Sequence, residues 1–333
     1  MDYPFHELPE AGASLPVAPG VEWVRMPLPF ALDHVNVWLL DDLEGCSLVD
    51  TGIALASVKS SWETLLESRR PRRLIVTHFH PDHLGLASWL MERHELSLYM
   101  TLGEYLTAHA AQKEFGGVGV PAMLDQFLRH GLDATRHGAL VERGNAYARG
   151  VPVLPESFNR IKDGEHLSIG GHAWRVMTGY GHSPEHASLY CEDKHVLISG
   201  DMLLPRISTN VSVFAHLPDA DPLQDFLDSL QRLTALPEDT LVLPSHGRPF
   251  RGLHQRVTQL VSHHAERCAT LLASCSAPKS ACELLETLFP RELDTHQVQF
   301  AMGETIAHLN HLEQSGSLGK VEGSDGICRF VKI

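Results

Sequence analysis

Residues 77–85 read Thr-His-Phe-His-Pro-Asp-His-Leu-Gly, a segment that leaves an apolar stretch and enters a helical pattern. His78, His80, Asp82 and His83 fall within this single turn. A metal site requires imidazole nitrogens and carboxylate oxygens that converge from a rigid element. Because a pattern of this density rarely arises by chance, the segment predicts a metal centre at a junction between a strand and a helix.

Three later segments each offer one more ligand at the end of a predicted strand. Gly-His-Ser-Pro-Glu-His contains His182, Ile-Ser-Gly-Asp ends at Asp201, and Pro-Ser-His-Gly contains His246. Together with the first turn they supply five histidines and two aspartates. This donor set is large enough for two metal ions.

The strands and helices around these ligands indicate a layered α/β fold. Short runs rich in β-branched and aromatic residues at 21–29, 34–40 and 45–52 predict a meander of antiparallel strands. A helical pattern over 54–68 precedes a buried-looking strand over 74–78, and this alternation is typical of a layered α/β domain. Strand patterns resume after residue 165, without a sequence repeat of fixed period.

Two other parts of the chain have mainly helical patterns. Residues 103–150 are predicted to form a helical insertion over the site, interrupted by a glycine-rich break. Helices followed by a terminal hairpin predict a small winged-helix-like domain over 255–333, which leaves 1–254 as the catalytic domain. The first helix of the terminal region could instead pack on the catalytic domain.

Composition narrows the class of partner. The chain has 41 acidic and 27 basic side chains and a formal charge of −14, so nucleic acid and anionic membranes are disfavoured. The six cysteines form no CxxC pair, and neither a signal peptide nor an apolar run of membrane-spanning length is evident. We therefore expect a cytoplasmic protein that acts on a small molecule.

The seven candidate ligands resemble those of the metallo-β-lactamase superfamily, in its glyoxalase II-like branch, from the strand at His34 to His246. The resemblance implies an αββα sandwich with the site at one edge between the sheets. It implies that the first ion is bound by His78, His80 and His182, that the second is bound by Asp82, His83 and His246, and that Asp201 bridges them.

Two positions near these motifs have more than one interpretation. Asp50, in Leu-Val-Asp-Thr-Gly, matches the superfamily's first motif, where an aspartate supports the metal ligands; an ordinary turn is the alternative. Glu185 stands where glyoxalase II-type sequences carry glycine, so it alters the loop of His182, presents a carboxylate to the pocket, or is solvated. Four residues near motif ends are candidates for substrate contact: His34, Tyr180, Tyr190 and Arg251.

The resulting functional hypothesis is a dinuclear metal-dependent hydrolase of a small-molecule ester, with a thioester or lactone favoured. Two divalent ions, zinc first and iron or manganese as alternatives, would lower the pKa of a bridging water so that hydroxide is the nucleophile. Asp82 and Asp50 are the predicted catalytic residues. No Gly-x-Ser-x-Gly segment supplies a serine nucleophile.

Three other functions stay open. A mononuclear-iron persulfide dioxygenase resembles the same motifs but uses two histidines and one aspartate. A nuclease or phosphodiesterase is suggested because a winged-helix-like domain accompanies this fold in some nucleases, although this tail has few basic residues. A metal-dependent sensor is the fourth hypothesis. For the terminal domain we favour packing, homodimer formation or a pocket wall.

The remaining histidines are expected to be structural. His263 and His264 lie on a predicted helix, and His308 and His311 share a helix face at i and i+3. Without a third ligand nearby, this face is interpreted as an ordinary helix surface.

Overall fold

The strand His34–Asp42 shows how the layers arise. Its side chains alternate between two cores, with Val37 and Leu39 in one and Trp38 and Leu40 in the other. Because both faces of the strand are buried, one face must be covered by helices and the other by a second sheet. The computed structural model, which describes residues 1–333, has this arrangement.

The first sheet has seven strands in sequential order, antiparallel from β1 to β4 and parallel from β4 to β7. Its strands are β1 (Ser14–Ala18), β2 (Val21–Pro27), β3 (His34–Asp42), β4 (Gly45–Val49), β5 (Pro71–Ile75), β6 (Ser97–Met100) and β7 (Asn159–Arg160). The predicted antiparallel meander is confirmed. The strand predicted over 74–78 is β5 and ends earlier, because residues 76–80 turn towards the ligand cluster.

The second sheet has five strands in the order β12-β11-β10-β9-β8, antiparallel except for the parallel pair β11 and β12. Its strands are β8 (His166–Ile169), β9 (His172–Gly179), β10 (His186–Cys191), β11 (Val196–Gly200) and β12 (Leu241–Pro244). A separate hairpin pairs β13 (Leu318–Glu322) with β14 (Cys328–Lys332).

Eleven α-helices accompany the sheets. They are α1 (Ala56–Leu66), α2 (Pro81–Leu84), α3 (Ala87–His94), α4 (Leu102–Lys113), α5 (Val120–Arg129), α6 (Ala134–Arg143), α7 (Ala146–Gly150), α8 (Pro222–Leu233), α9 (Leu253–Ser274), α10 (Leu285–Leu288) and α11 (Thr295–Gln314). None is long and apolar enough to cross a bilayer.

Three cores account for the layers. The inner core lies between the two sheets and contains Trp23 and Trp38 from the first and Trp174 and Leu189 from the second. A second core joins the outer face of the first sheet to α1, α3 and α4. A third joins the outer face of the second sheet to α8, α9 and α11. The expected αββα sandwich is confirmed.

Helices α4 to α7 occupy the segment predicted as a helical insertion. At the other end of the chain, α9 begins at Leu253, beside the predicted division at residue 254. Its side chains Val257 and Leu260 join the same core as Leu197 and Val242 of the second sheet. The first terminal helix therefore packs on the sandwich as well as on α10 and α11.

Candidate metal centre

The seven predicted ligands meet at one edge of the sandwich. The parallel pairs β4–β5 and β11–β12 both end there, so the residues that follow these strands are neighbours in space. The structure brings together two groups of potential ligand atoms, and the atoms of each group lie within 4.8 Å of one another. They are His78, His80, His182 and Asp201 in the first group, and Asp82, His83 and His246 in the second.

The first group converges on a small volume. His78 Nε2 lies 3.0 Å from His80 Nδ1 and 3.2 Å from His182 Nε2. Asp201 Oδ2 lies 3.4 Å from His182 Nε2 and 3.9 Å from His78 Nε2. Three nitrogens and one carboxylate oxygen in this arrangement match the donor set that a divalent transition-metal ion accepts.

The second group adjoins the first through Asp201. Its other oxygen, Oδ1, lies 3.5 Å from His246 Nε2 and 3.8 Å from His83 Nε2. Asp82 Oδ2 lies 3.4 Å from His246 Nε2 and 3.7 Å from His83 Nε2. The two oxygens of Asp201 thus face different groups, which is the geometry of a bridging ligand.

Hydrogen bonds fix which nitrogen each imidazole offers. His182 Nδ1 lies 2.7 Å from the carbonyl of Asn210, and His246 Nδ1 lies 2.8 Å from the carbonyl of His34. Since a carbonyl can only accept, both Nδ1 atoms carry a proton, and Nε2 is the nitrogen that each neutral ring offers to a metal ion. Partners of this kind orient metal-binding histidines.

Asp50 orients two further candidate ligands. It follows β4 with a φ of 64° and accepts hydrogen bonds from Thr77 N at 2.8 Å and from His83 Nδ1 at 2.8 Å. The Thr77 hydroxyl donates to Asp50 Oδ2 at 2.8 Å and so accepts from His78 Nδ1 at 3.0 Å. Asp50 therefore contacts His83 directly and holds His78 through Thr77.

Two buried polar atoms in the cluster lack a hydrogen-bond partner within the protein, His83 Nε2 and Asp201 Oδ1. An unpaired buried polar atom is costly, so such atoms call for an external partner. A divalent ion would satisfy both. The residues present therefore fit a pair of metal ions, and we assign the two groups as candidate ligands on this ground.

The protonation of the metal-free cluster also fits a site for cations. Burial disfavours the charged form of His83, but the carboxylates of Asp50, Asp82 and Asp201 outweigh it and raise its pKa to about 9. Burial also opposes charge on His246, whose pKa is nevertheless raised by Asp201 and Asp82. Without metal these two imidazoles hold protons, which metal binding would displace.

Two side chains of this region were not singled out from the sequence. His186 is fully buried, and its Nε2 accepts from Asp201 N at 3.1 Å. Gly200, with a φ of 53°, lies so close to this ring that any Cβ would collide with it. Glu104, from α4, is also fully buried, and burial raises its pKa to about 7 against the lowering by its hydrogen-bond donors. Neither His186 nor Glu104 belongs to a motif with a distinctive spacing, so the sequence offers no signal for either of them.

The structure places Glu185 away from the pocket. Its Oε2 accepts from Gly103 N at 2.7 Å at the start of α4. The possibility that it presents a carboxylate to the pocket is therefore wrong.

The four candidates for substrate contact do not line the cavity beside the cluster. The carbonyl of His34 accepts from His246 Nδ1, and its Nε2 accepts from Gly247 N. Tyr190 is buried, and Arg251 forms backbone hydrogen bonds with Asp2. Tyr180, whose hydroxyl lies 3.3 Å from that of Thr178, is partly exposed elsewhere. A position next to a motif did not predict the direction of these side chains.

Comparison with known proteins identifies the class. The family model described as the metallo-beta-lactamase superfamily matches residues 31–246, and the model described as the metallo-beta-lactamase-like C-terminal domain matches residues 268–333. Since the first match alone covers more than half of the chain, the protein belongs to the metallo-β-lactamase superfamily.

Two solved structures are similar over nearly the whole chain. A beta-lactamase domain protein from Burkholderia ambifaria has a TM-score of 0.93 and 45% identity, with 100% of this chain and 98% of that one covered. The metallo-beta-lactamase family protein TTHA1429 from Thermus thermophilus has a TM-score of 0.81 and 32% identity, with 95% and 99% covered.

Among sequence relatives, the probable metallo-hydrolase YqjP of Bacillus subtilis is 25% identical over 304 residues, which is 87% of this chain and 91% of the relative. The human acyl-coenzyme A thioesterase MBLAC2 is 24% identical over 261 residues, or 74% and 85% of the two chains. The protein is a metallo-hydrolase of this superfamily.

Proposed function

We propose that the protein is a dinuclear metal hydrolase that cleaves a small-molecule ester, with thioesters favoured over lactones. The observation that carries this proposal is the pair of ligand groups joined by Asp201 at the wall of a large cavity. When bound, two divalent ions would supply an activated water and polarise the scissile carbonyl. Zinc is the favoured metal, with iron or manganese as alternatives.

The residues of the chain contribute orientation and proton placement. Asp201 offers one oxygen to each group, and Asp82 faces both the second group and the cavity. Asp50 keeps the proton of His83 on Nδ1, so that Nε2 faces the cluster. In this proposal Asp82 would act as a ligand at the substrate side, and Asp50 would support the ligands by orienting His83 and His78.

The cavity supports a small and largely apolar substrate. Its volume is about 1190 Å³, and apolar side chains of the β2–β3 loop, the insertion and α11 contribute much of its lining. A thioester that carries an apolar acyl chain fits this lining.

The charges of the cavity oppose a polyanionic substrate. Arg143 is the only lysine or arginine that lines it, and its guanidinium already donates to Gln299. Carboxylates of Asp82, Glu142 and other residues line the same space. A nucleic-acid backbone would meet more negative than positive groups, so phosphodiester cleavage is disfavoured.

The test combines metal analysis with a substrate screen. Protein purified without added metal is analysed for metal content per chain, then assayed with acyl thioesters of an uncharged thiol, lactones and phosphodiesters. Two ions per chain with thioester hydrolysis would support the proposal. A single iron per chain without hydrolysis would favour the dioxygenase, and phosphodiester turnover alone would favour a nuclease.

A further inference from the structure

The residue between two candidate ligands is held from outside its own loop. Phe79 lies between His78 and His80, and its N–H donates to Glu104 Oε2 at 2.9 Å. Its carbonyl accepts from the hydroxyl of Tyr147 at 2.8 Å. Glu104 is on α4 and Tyr147 on α7, so both partners belong to the helical insertion.

Glu104 also holds the loop of a third ligand. Its Oε1 accepts from the Ser183 hydroxyl at 2.7 Å and from Glu185 N at 2.7 Å. Ser183 directly follows His182. One carboxylate therefore joins the loop of His78 and His80 to the loop of His182, which together supply all three imidazoles of the first ligand group.

A carboxylate is an unfavourable choice for the buried position of Glu104 if the residue only fills space in the fold. Glu104 is fully buried, and burying a charged group is costly unless it is paired or fully hydrogen-bonded. Its three donors come from the two ligand loops, and its place in the first turn of α4 adds a favourable dipole. The cost of burial is thus offset only when both loops are in position.

We propose that Glu104 and Tyr147 are positioning residues of the metal centre, which fix the loops so that His78, His80 and His182 converge before the metal arrives. This inference rests on the proposed assignment of these histidines as metal ligands. It makes the insertion a part of the metal centre as well as a wall of the cavity. Loss of these contacts should weaken metal binding more than it weakens the fold.

The experiment uses two variants with one matched control each. Tyr147→Phe removes only the hydroxyl that reaches Phe79, whereas Tyr105→Phe removes a hydroxyl of the same insertion that donates to Pro155 O at 3.0 Å. Glu104→Gln keeps the shape of the side chain, but its amide NH₂ is a hydrogen-bond donor and would face one of the groups that donate to Glu104. Its control, Glu283→Gln, alters a carboxylate that accepts from Ser280 N far from the site.

Zinc stoichiometry and affinity are measured by chelator competition on the full chain, together with the melting temperature of the metal-free protein and the kcat and KM for a thioester. We expect Glu104→Gln to weaken zinc binding roughly 10- to 100-fold and Tyr147→Phe to weaken it by less, in the range of supporting partners of metal ligands. Both controls should bind zinc as the wild type does.

Wild-type zinc affinity in both variants would overturn the positioning role, and so would losses equal to those of the controls. A wild-type protein that binds two zinc ions but hydrolyses no thioester would overturn the proposed substrate class and leave the affinity comparison valid. A wild-type protein that binds no metal would overturn both proposals.

Discussion

Two clusters of buried histidines lie in this molecule, and they differ in whether the imidazole nitrogens converge with carboxylates. In the ligand cluster, His182 and His246 each donate Nδ1 to a carbonyl and direct Nε2 towards a carboxylate of the group. In the terminal region, His264 Nδ1 lies 3.1 Å from His308 Nε2, so the lone pair of that His308 nitrogen is taken up by a hydrogen bond, and His264 Nε2 is buried without a partner. Buried imidazoles therefore make a metal site only where their lone pairs converge with a carboxylate.

The terminal pair also corrects a prediction. His308 was expected on an ordinary helix surface, but it is fully buried, and its Nδ1 donates to Glu304 O at 2.8 Å. His264 packs edge-on against Phe226 of α8. His308 and His311 do lie on one helix, but the helix α11 is covered on more than one side by the rest of the fold.

The largest effect in this comparison is expected from Asp201→Asn, which removes the charge of the proposed bridging ligand. Loss of even a supporting partner of a metal ligand lowers metal affinity or activity roughly 10- to 100-fold. Loss of the bridging charge should therefore lower thioester turnover by more than about 100-fold. Elemental analysis should show the loss of at least one ion per chain. His264→Gln is the control from the other cluster, and unchanged metal content in Asp201→Asn would refute the bridging role.

A smaller effect is expected from Asp50→Asn. Asparagine tolerates the positive φ of this position, but its amide cannot accept all the hydrogen bonds that Thr77 and His83 donate. Zinc affinity should fall roughly 10- to 100-fold, measured by chelator competition. Asp133→Asn, at an exposed helix N-terminus, should leave the affinity unchanged; an equal loss in both variants would contradict the assigned support.

His264 and His308 of the terminal region should make the free energy of unfolding depend on pH. Burial lowers the pKa of His264 to about 3 and that of His308 to about 4, against an ordinary value of 6.5. Between these values and pH 6.5 the unfolded chain binds protons that the folded chain does not, so the free energy of unfolding falls as the pH drops. At pH 5 the loss should be about 2 kcal/mol per histidine.

Urea unfolding of the metal-free protein at pH 7 and pH 5 measures this loss. His264→Gln should show a shallower dependence on pH than the wild type does. An identical dependence in the two proteins would show that the pair does not contribute to acid sensitivity.

The smallest effect is expected from His311→Ala. His311 Nδ1 lies 2.9 Å from Asp221 Oδ2, and this hydrogen bond raises the pKa of the histidine. Its stabilisation is therefore present below pH 6.5 and lost as the pH rises through the folded-state pKa, opposite in sign to that of His264. We expect a loss below about 1 kcal/mol at pH 6 with unchanged metal content. A larger loss at pH 8 than at pH 6 would contradict this sign.

The sequence predicted the residues of the cluster and their elements better than it predicted their support. Ligands such as His78 and His80 have a distinctive spacing because one turn must present them together. Glu104 has no such spacing, since its partners come from two distant loops and only the fold brings them near. Gln126 looks like any polar residue of an amphipathic helix, and its position in the cavity depends on how α5 packs.

The third core has a consequence for how the protein is made. Leu197 and Val242 of the second sheet share that core with Met302 and Phe330. A ribosome that has just added His246 has supplied every candidate metal ligand, yet the outer face of the second sheet still lacks much of its cover. The exposed apolar face must wait for roughly another 80 residues of translation, a period in which chaperones would have reason to bind it.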